Sequence, residues 1–128
     1  MDDEKPEGKL ESYRGLLVYQ KAYELTLRIF RATRRFPKEE MYGLVTQMRR
    51  SAASIPSNIA EGYSRHSRKE YLHFLSIAYG SAAELGTHIS ISHDMEYLDM
   101  SEYESIHAVK ESVSRLLWKL IVSLKENS

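Results

Sequence analysis

A glutamate followed three residues later by a histidine occurs twice in this sequence, as EYLH at residues 70–73 and as ESIH at residues 104–107. In a four-helix bundle, two such motifs and one glutamate from each of the two remaining helices form the ligand set of a carboxylate di-iron centre. Glu24 and Glu61 are available for the other two positions. The motifs therefore raise the hypothesis of a di-iron site inside a helical bundle.

Helix geometry argues against this metal site. At about 100° per residue, Glu70 and His73 lie about 100° and 160° from the centre of the apolar stripe of their helix, and Glu104 and His107 lie about 165° and 135° from theirs. All four side chains would then face away from the core. Both motifs also lie in the first turns of their helices, which antiparallel neighbours place roughly 30 Å apart. We expect solvent-facing residues here and no metal.

Other groups that carry out chemistry are scarce. Cysteine is absent, which excludes disulfides, zinc–thiolate sites and a cysteine nucleophile. Gly80 and Gly86 lie within a predicted helix, so neither belongs to a glycine-rich phosphate loop. We expect no catalytic residue and no cofactor, and therefore no enzyme. Tyrosines beside the apolar stripes are expected in the core or at an interface rather than as stacking platforms: Tyr23, Tyr63, Tyr71 and Tyr79.

The sequence favours a cytoplasmic protein that does not enter a membrane. Its first eight residues, MDDEKPEG, have neither the positive charge nor the apolar run of a secretory signal. No apolar run approaches the roughly 20 residues that a membrane span needs. The absence of cysteine also suits a reducing compartment.

Charge is unevenly distributed although the formal net charge is zero. Residues 12–73 hold 12 Lys/Arg against 5 Asp/Glu, whereas residues 1–11 and 74–128 are both acidic. Such asymmetry is typical of a basic surface that binds nucleic acid, or of opposite charges that meet within the bundle or between subunits.

Apolar residues at steps of three and four predict four amphipathic helices, at about residues 16–35, 38–61, 68–93 and 102–125. Short loops make sequential helices antiparallel neighbours, so the expected fold is all-α, an antiparallel up-down four-helix bundle. The predicted stripes are Val18, Ala22, Leu25 and Ile29; Met41, Leu44, Met48, Ala52, Ile55 and Ile59; Tyr71, Leu75, Ala78, Ala82, Leu85 and Ile89; and Ile106, Val109, Val113, Leu116, Leu120 and Leu124.

The bundle should form one domain at residues 13–126, after a disordered tail at residues 1–12. Two segments, SRKE from Ser67 and SEYE from Ser101, have the pattern of capping boxes that begin helices. Gly62 fits the position just past a helix end.

Helices 2 and 3 carry a second face opposite their apolar stripes. A glycine within a helix costs about 1 kcal/mol relative to alanine, so Gly80 is unexpected on a face that only meets water. Arg50 and Glu61 are about 16 Å apart along helix 2, so each partner is expected from another helix or chain. We infer a surface for homo-oligomerisation, whose residues are Arg50, Ser54, Ser57 and Glu61 on helix 2 and Ile77, Gly80, Ala83, Glu84 and Thr87 on helix 3.

Pro56 lies inside the predicted second helix, where proline costs about 3 kcal/mol. It could bend the helix and release the carbonyl of Ala52, which Ser or Asn side chains or water would then satisfy. Alternatively, helix 2 breaks, with Ser54 as the cap of a new helix. The sequence leaves both alternatives open.

Four longer segments stand out: VYQKAYEL from Val18, FPKEEMYGL from Phe36, QMRRSAASIPSNIAEG from Gln47 and FLSIAYGSAAEL from Phe74. They resemble the four-helix-bundle proteins encoded within intervening sequences of bacterial 23S ribosomal RNA genes. Two residues depart from the family pattern: Tyr19 stands where many members have Trp, and Ser51 stands where Ala is usual.

The resemblance implies a ring-like homopentamer without assigned enzymatic activity or cofactor. It also implies a fold shared with the accessory protein of diversity-generating retroelements, a basic pentamer that works with a reverse transcriptase and nucleic acid. Six residues occupy family motif positions: Arg50, Pro56, Asn58, Glu61, Gly80 and Glu84. We interpret them, together with Ser54 from the second face, as residues of the fold and of the subunit interface.

Two functions are consistent with these observations. The first is nucleic-acid binding, to RNA or DNA, in which an oligomer multiplies weak basic patches by avidity. The second is a scaffold or accessory subunit that binds a partner protein and no nucleic acid. The candidate nucleic-acid contacts lie at the two helix–helix turns, which an up-down bundle places at opposite ends: Arg34, Arg35 and Lys38, and Arg65, Arg68 and Lys69.

Overall fold

A computed structural model of the chain describes residues 12–127, and these residues form four α-helices and no β-strand. The predicted tail at residues 1–12 lies outside the described residues, except Ser12, whose hydroxyl accepts a hydrogen bond from the Arg14 amide. Within residues 12–127, no helix has both the length and the apolar character needed to cross a membrane. The helices are α1 (Leu17–Thr33), α2 (Thr46–Tyr63), α3 (Arg68–Asp94) and α4 (Met100–Glu126).

Each helix packs mainly against two others, in the cyclic order α1, α2, α3, α4. In the side-chain contacts between neighbouring helices, the residue number falls on one helix as it rises on the other. These contacts are Thr26–Ala52 and Thr33–Arg49 for α1 and α2, Met48–Ser92 and Ser54–Ser81 for α2 and α3, Tyr79–Trp118 and His93–Tyr103 for α3 and α4, and, for α4 with α1 and the residues just after α1, Arg28–Ser105 and Arg35–Glu102.

The predicted apolar stripes of α1 and α3 are confirmed, because every one of their residues is buried. The stripe of α2 is confirmed from Met48 to Ile59, but the prediction is wrong for Met41, which is 40% exposed. Met41 begins a π-helical turn, Met41–Val45, that precedes α2. A π turn contains an extra residue, which rotates the residues before it by about 100° relative to the α-helical stripe.

The apolar seam of α4 also differs from the prediction. Leu117 and Ile121 are buried, whereas Leu116 and Leu120 are only partly buried. Apolar residues occupy both positions of each pair, so periodicity alone does not distinguish two seams that differ by one residue. The packing of α4 against both α1 and α3 selects the second seam.

One of the two predicted capping boxes has the expected cap. The Glu70 amide donates to the Ser67 hydroxyl at 3.1 Å, which confirms Ser67 as the cap of α3. The box predicted at Ser101 is wrong, because α4 begins at Met100, two residues before the predicted start, and Asp99 is its cap, accepting from the Glu102 amide at 2.8 Å.

Gly62 lies inside α2 and is buried, so the prediction that it follows a helix end is wrong. A Cβ atom at this position would lie 2.9 Å from Phe74 Cβ and 3.1 Å from Tyr71 Cδ1. Glycine is therefore required because α2 and α3 approach closely, not because the backbone turns there.

Pro56 does not break the second helix, since α2 continues through it from Thr46 to Tyr63. The carbonyl of Ala52 has no amide partner at position 56. It accepts a hydrogen bond from the hydroxyl of Thr26 on α1, at 3.0 Å. The expectation that a Ser or Asn side chain or water would satisfy this carbonyl is corrected: the donor is a threonine of a neighbouring helix.

Candidate functional site

The two Glu-x-x-His motifs face solvent, as helix geometry predicted. Glu70, His73, Glu104 and His107 are all exposed. Among the described residues, no group of three or more His, Cys, Asp or Glu side chains is placed to hold a metal ion. Both motifs therefore lie on exposed helix surfaces and not at the centre of the bundle, where a di-iron site would lie.

The second face of helices 2 and 3 is joined by an ion pair within the chain. The guanidinium of Arg50 on α2 pairs with the carboxylate of Glu84 on α3 and donates to Gln47 at 2.9 Å. The Glu84 carboxylate also lies 3.3 Å from His88 Nε2. The prediction that the partner of Arg50 comes from another helix is confirmed. For Glu61 it is wrong, since its carboxylate pairs with Arg65 at 2.8 Å, four residues along the same chain.

A short polar chain continues this face toward the end of α2. The Asn58 amide donates to the Ser54 carbonyl at 2.8 Å and to its hydroxyl at 2.9 Å, and this hydroxyl lies 2.9 Å from that of Ser81 on α3. Ser54 therefore joins α2 to α3, and Asn58 holds Ser54 from within α2. Pro56, between them in sequence, is buried.

Gly80 is exposed, and a Cβ atom at its position would meet nothing within 4 Å. Three exposed apolar residues follow the same side of α3: Ile77 at 40% lies about one turn from Gly80, whereas Ile91 at 44% and Met95 at 54%, just after the helix, lie roughly 16 and 22 Å further along the axis. Within one chain, nothing in the described residues requires glycine at position 80.

A second exposed apolar stripe, which the sequence analysis missed, lies on α1. It consists of Tyr23, Leu27 and Phe30, which are 51%, 38% and 37% exposed. Their steps of four and three form a helix face of their own, and this spacing was the signal that could have revealed it. Because α1 and α3 are not neighbours in the packing order, the exposed apolar stripe of α1 and that of α3 lie on different sides of the bundle.

We predict that His88 makes the fold sensitive to mild acid. Burial lowers the pKa of His88, Glu84 opposes this shift and Arg50 adds to it. The neutral ring is thus favoured in the fold, while the unfolded chain takes up a proton near the ordinary pKa of about 6.5. Stability is therefore complete above that value and is lost as pH falls toward the lower folded pKa.

Urea unfolding at pH 7.5, 6.5 and 5.5 measures this effect. The loss of stability should be smaller in His88→Gln than in the wild type. His66→Gln is the matched control, because His66 is exposed. An equal pH dependence in the wild type and His88→Gln would contradict the assignment.

The predicted cations of the first turn lie at an end of the bundle where acidic residues predominate. Arg34 and Lys38 are exposed, whereas Arg35 pairs with Glu102 of α4. The Tyr97 hydroxyl donates to Glu40 at 2.7 Å, which brings the α3–α4 connection to the same end. We call residues 31–46 and 91–106 the acidic end; they hold 4 Lys/Arg against 7 Asp/Glu.

The cations of the second turn lie at the opposite end. Arg65 pairs with Glu61 and stacks over Phe74, while Arg68 donates to the Asn127 carbonyl and so ties the start of α3 to the end of α4. Lys69 is exposed. We call residues 12–21, 61–73 and 115–127 the basic end; they hold 8 Lys/Arg against 3 Asp/Glu, a net charge of +5.

An open groove of about 540 Å³ runs between α1 and α4. Three arginines line it, two from α1 and Arg35 just after α1, but Arg28 bonds to Glu24 and Ser105, and Arg35 to Glu102. Arg31 is the remaining one of the three. Since carboxylates neutralise two of its three cations, this groove is a weaker anion site than the basic end.

Comparison with known proteins agrees with the helical architecture. The family described as 23S rRNA-intervening sequence protein matches residues 14–119. The structure is similar to the crystal structure of a protein of unknown function from the S23 ribosomal protein family of Bacteroides thetaiotaomicron, with a TM-score of 0.77 and 27% sequence identity. The alignment covers 82% of this chain and 98% of that chain. No curated protein matches this chain.

The family match spans all four helices apart from the last residues of α4. It includes the motif around Pro56 and the second face of α2 and α3 described above. The chain therefore belongs to the family of 23S rRNA-intervening sequence proteins.

Proposed function

We propose that this protein is a non-enzymatic, cytoplasmic homo-oligomer that binds nucleic acid, and RNA in particular, through the basic end of its bundle. The observation that carries the proposal is the separation of charge between the two ends. Both turns are basic in the sequence, but only the second turn lies at an end of the bundle where Lys and Arg outnumber Asp and Glu. Phosphate backbones bind where cations are not neutralised by neighbouring carboxylates.

The antiparallel order of the helices supports this separation. Falling residue numbers across each contacting pair bring the starts of α1 and α3 to the same end as the finishes of α2 and α4. Arg14, Arg65, Lys69 and Lys125 then share one end although they are distant in sequence. Lys69 and Lys125 are both exposed and are available to a ligand.

Assembly into a closed ring would multiply this charge. Two different exposed stripes, on α1 and on α3, suit a heterologous interface in which one copy's α1 stripe meets the next copy's α3 stripe. Such an interface closes into a ring when the rotation permits. Gly80 would allow close approach at this contact. The number five comes from the family resemblance, and the cyclic symmetry would place every basic end on the same side of the ring.

The test compares two charge reversals of equal size. Lys69→Glu with Lys125→Glu should weaken binding of a structured RNA about tenfold at 50 mM salt and reduce the slope of log affinity against log salt. Arg34→Glu with Lys38→Glu changes the net charge equally at the acidic end and should leave affinity within about twofold. Filter binding over a salt series measures both.

Equal losses in both variants would contradict the basic end as the site, and no binding by the wild type at 50 mM salt would contradict the function. Native mass spectrometry of the wild type reports copy number and bound RNA together. A monomer at micromolar concentration would contradict the ring.

A protein scaffold is the second candidate, and exposed apolar side chains at the acidic end favour it. Tyr42 is 96% exposed, and Met41, Met95 and Met100 are 40%, 54% and 56% exposed. Flexible methionines suit protein surfaces that bind partners. A basic partner protein would fit this end, and its binding would be weakened by Tyr42→Ala rather than by reversal of Lys69 and Lys125.

A further inference from the structure

Two exposed aromatic rings lie side by side across the α3–α4 contact. The ring centroids of Tyr79 on α3 and Trp118 on α4 are 5.6 Å apart, with an angle of 42° between the ring planes. Tyr79 is 37% exposed and Trp118 is 52% exposed. Trp118 is the only tryptophan in the chain. The pair presents a broad apolar surface to water instead of burying it in the core.

The cations nearest in sequence to this pair belong to the basic end. Arg115 precedes Trp118 by about one turn of α4, and Lys125 follows it by two turns, about 10 Å along the helix axis. Both are exposed. Lys119 adds a third cation, and Glu126 is the one acidic residue of residues 115–127. On α3, Lys69 is exposed and lies in the same basic end.

The nearest acidic residue on the amino-terminal side is already engaged. Glu111 accepts from Lys110 Nζ at 3.0 Å, and this bond is the main reason why the pKa of Glu111 is lowered. The Arg115 guanidinium also helps to lower this pKa, whereas Lys119 and Lys125 are exposed. Aromatic faces bordered by exposed cations form the arrangement with which proteins bind single-stranded nucleic acid, bases on the rings and phosphates on the cations.

We propose that Tyr79 and Trp118 form a stacking platform for unpaired nucleobases, with Arg115 and Lys125 contacting the adjoining phosphates. This proposal rests on the nucleic-acid function proposed above and names its substrate class: single-stranded RNA or DNA, or unpaired loops of a structured RNA. Every base offers a π face, so the platform discriminates strand state rather than sequence. It differs from the expectation, stated from the sequence, that Tyr79 belongs to a core or an interface rather than to a stacking platform.

The single tryptophan makes a direct test available. A 20-nucleotide oligo(U) added to the wild-type protein should quench the Trp118 fluorescence, and the quenching should require higher oligonucleotide concentrations as salt rises. A blunt RNA duplex of the same length has no unpaired base and should quench at least fivefold less.

Variants then separate stacking from folding. Trp118→Leu should weaken binding of fluorescently labelled oligo(U), measured by anisotropy, roughly tenfold, and Trp118→Phe should restore part of the loss because it keeps an aromatic face. Tyr42→Ala removes an aromatic residue that is 96% exposed at the acidic end and is the matched control, with affinity expected within twofold of the wild type. Circular dichroism verifies that each variant keeps its helices.

The outcomes distinguish this proposal from the proposed function. The platform would be overturned if the wild type bound oligo(U) in a salt-dependent way without quenching of Trp118, and if Trp118→Leu bound it with unchanged affinity. The basic end would then remain as the site. Quenching that survives reversal of Lys69 and Lys125 would overturn the phosphate contact assigned to Lys125. No binding of any oligonucleotide would overturn both. A change of copy number in Trp118→Leu without a change in affinity would show that the rings join copies of the chain, which also overturns the platform.

Discussion

Replacing Gly62 by alanine should lower the free energy of unfolding by about 1–3 kcal/mol, the usual cost of inserting a methyl group into a closely packed contact. The added Cβ would lie 2.9 Å from Phe74 Cβ and 3.3 Å from the Tyr71 carbonyl oxygen. Both atoms belong to or adjoin the backbone of α3, so the strain can be relieved only if α2 and α3 separate. The loss should exceed the helix-propensity gain of about 1 kcal/mol that alanine brings.

Gly80→Ala is the matched control with the opposite expected sign. Nothing lies within 4 Å of the added atom, so the propensity gain should remain and raise the free energy of unfolding by up to about 1 kcal/mol. Gly86→Ala should be intermediate, because its contacts at 2.9 Å are with the flexible end of the Lys110 side chain.

Urea unfolding of all three variants at one protein concentration measures these effects, since assembly makes stability depend on concentration. A stabilising Gly62→Ala would contradict the close approach of α2 and α3. A Gly80→Ala variant that is more stable yet assembles less well would agree with the proposed contact between copies.

Removing the hydroxyl of Thr26 is the second change with a large expected effect. Thr26→Val keeps the shape of the side chain but leaves the carbonyl of buried Ala52 without its donor. An unsatisfied buried polar group costs about 1–3 kcal/mol, and we expect a loss in this range. The Thr26 proton is shared with the Ala22 carbonyl at 2.9 Å, and that carbonyl also faces the amide of its own helix.

A double-mutant cycle with Pro56 tests the cause of this loss. Pro56→Ala restores an amide at position 56, which can donate to the Ala52 carbonyl as in an ordinary helix. In that background, Thr26→Val should cost less than half of its cost in the wild type. Thr87→Val is the control, because the Thr87 hydroxyl is exposed and its bond to Ala83 is long, at 3.5 Å. Equal costs in both backgrounds would show that Thr26 does not compensate for Pro56.

Pro56 and Gly62 show how far local reasoning extends. Both residues are helix breakers by propensity, so the sequence allowed a break at Pro56 and predicted a helix end before Gly62. Neither occurs, because the determining atoms belong to other helices: Thr26 supplies the missing donor, and Tyr71 and Phe74 occupy the space beside Gly62. Propensity describes an isolated helix and contains no information about these neighbours.

The proposed binding residues show the same limit. The sequence identified cationic turns but weighted them equally, although Arg35 pairs with Glu102 and Lys69 is exposed. It also placed Tyr79 in a core or an interface, because nothing near it in the chain indicates Trp118 as a neighbour.

The sequence by itself determined the four amphipathic helices, the buried stripes of α1 and α3 and the cap at Ser67, because periodicity and capping depend on residues only a few positions apart. The tertiary structure alone decided the separation of charge between the two ends and the meeting of Tyr79 with Trp118. These features join residues far apart in the chain. Their proximity follows from how the helices pack, which no local pattern records.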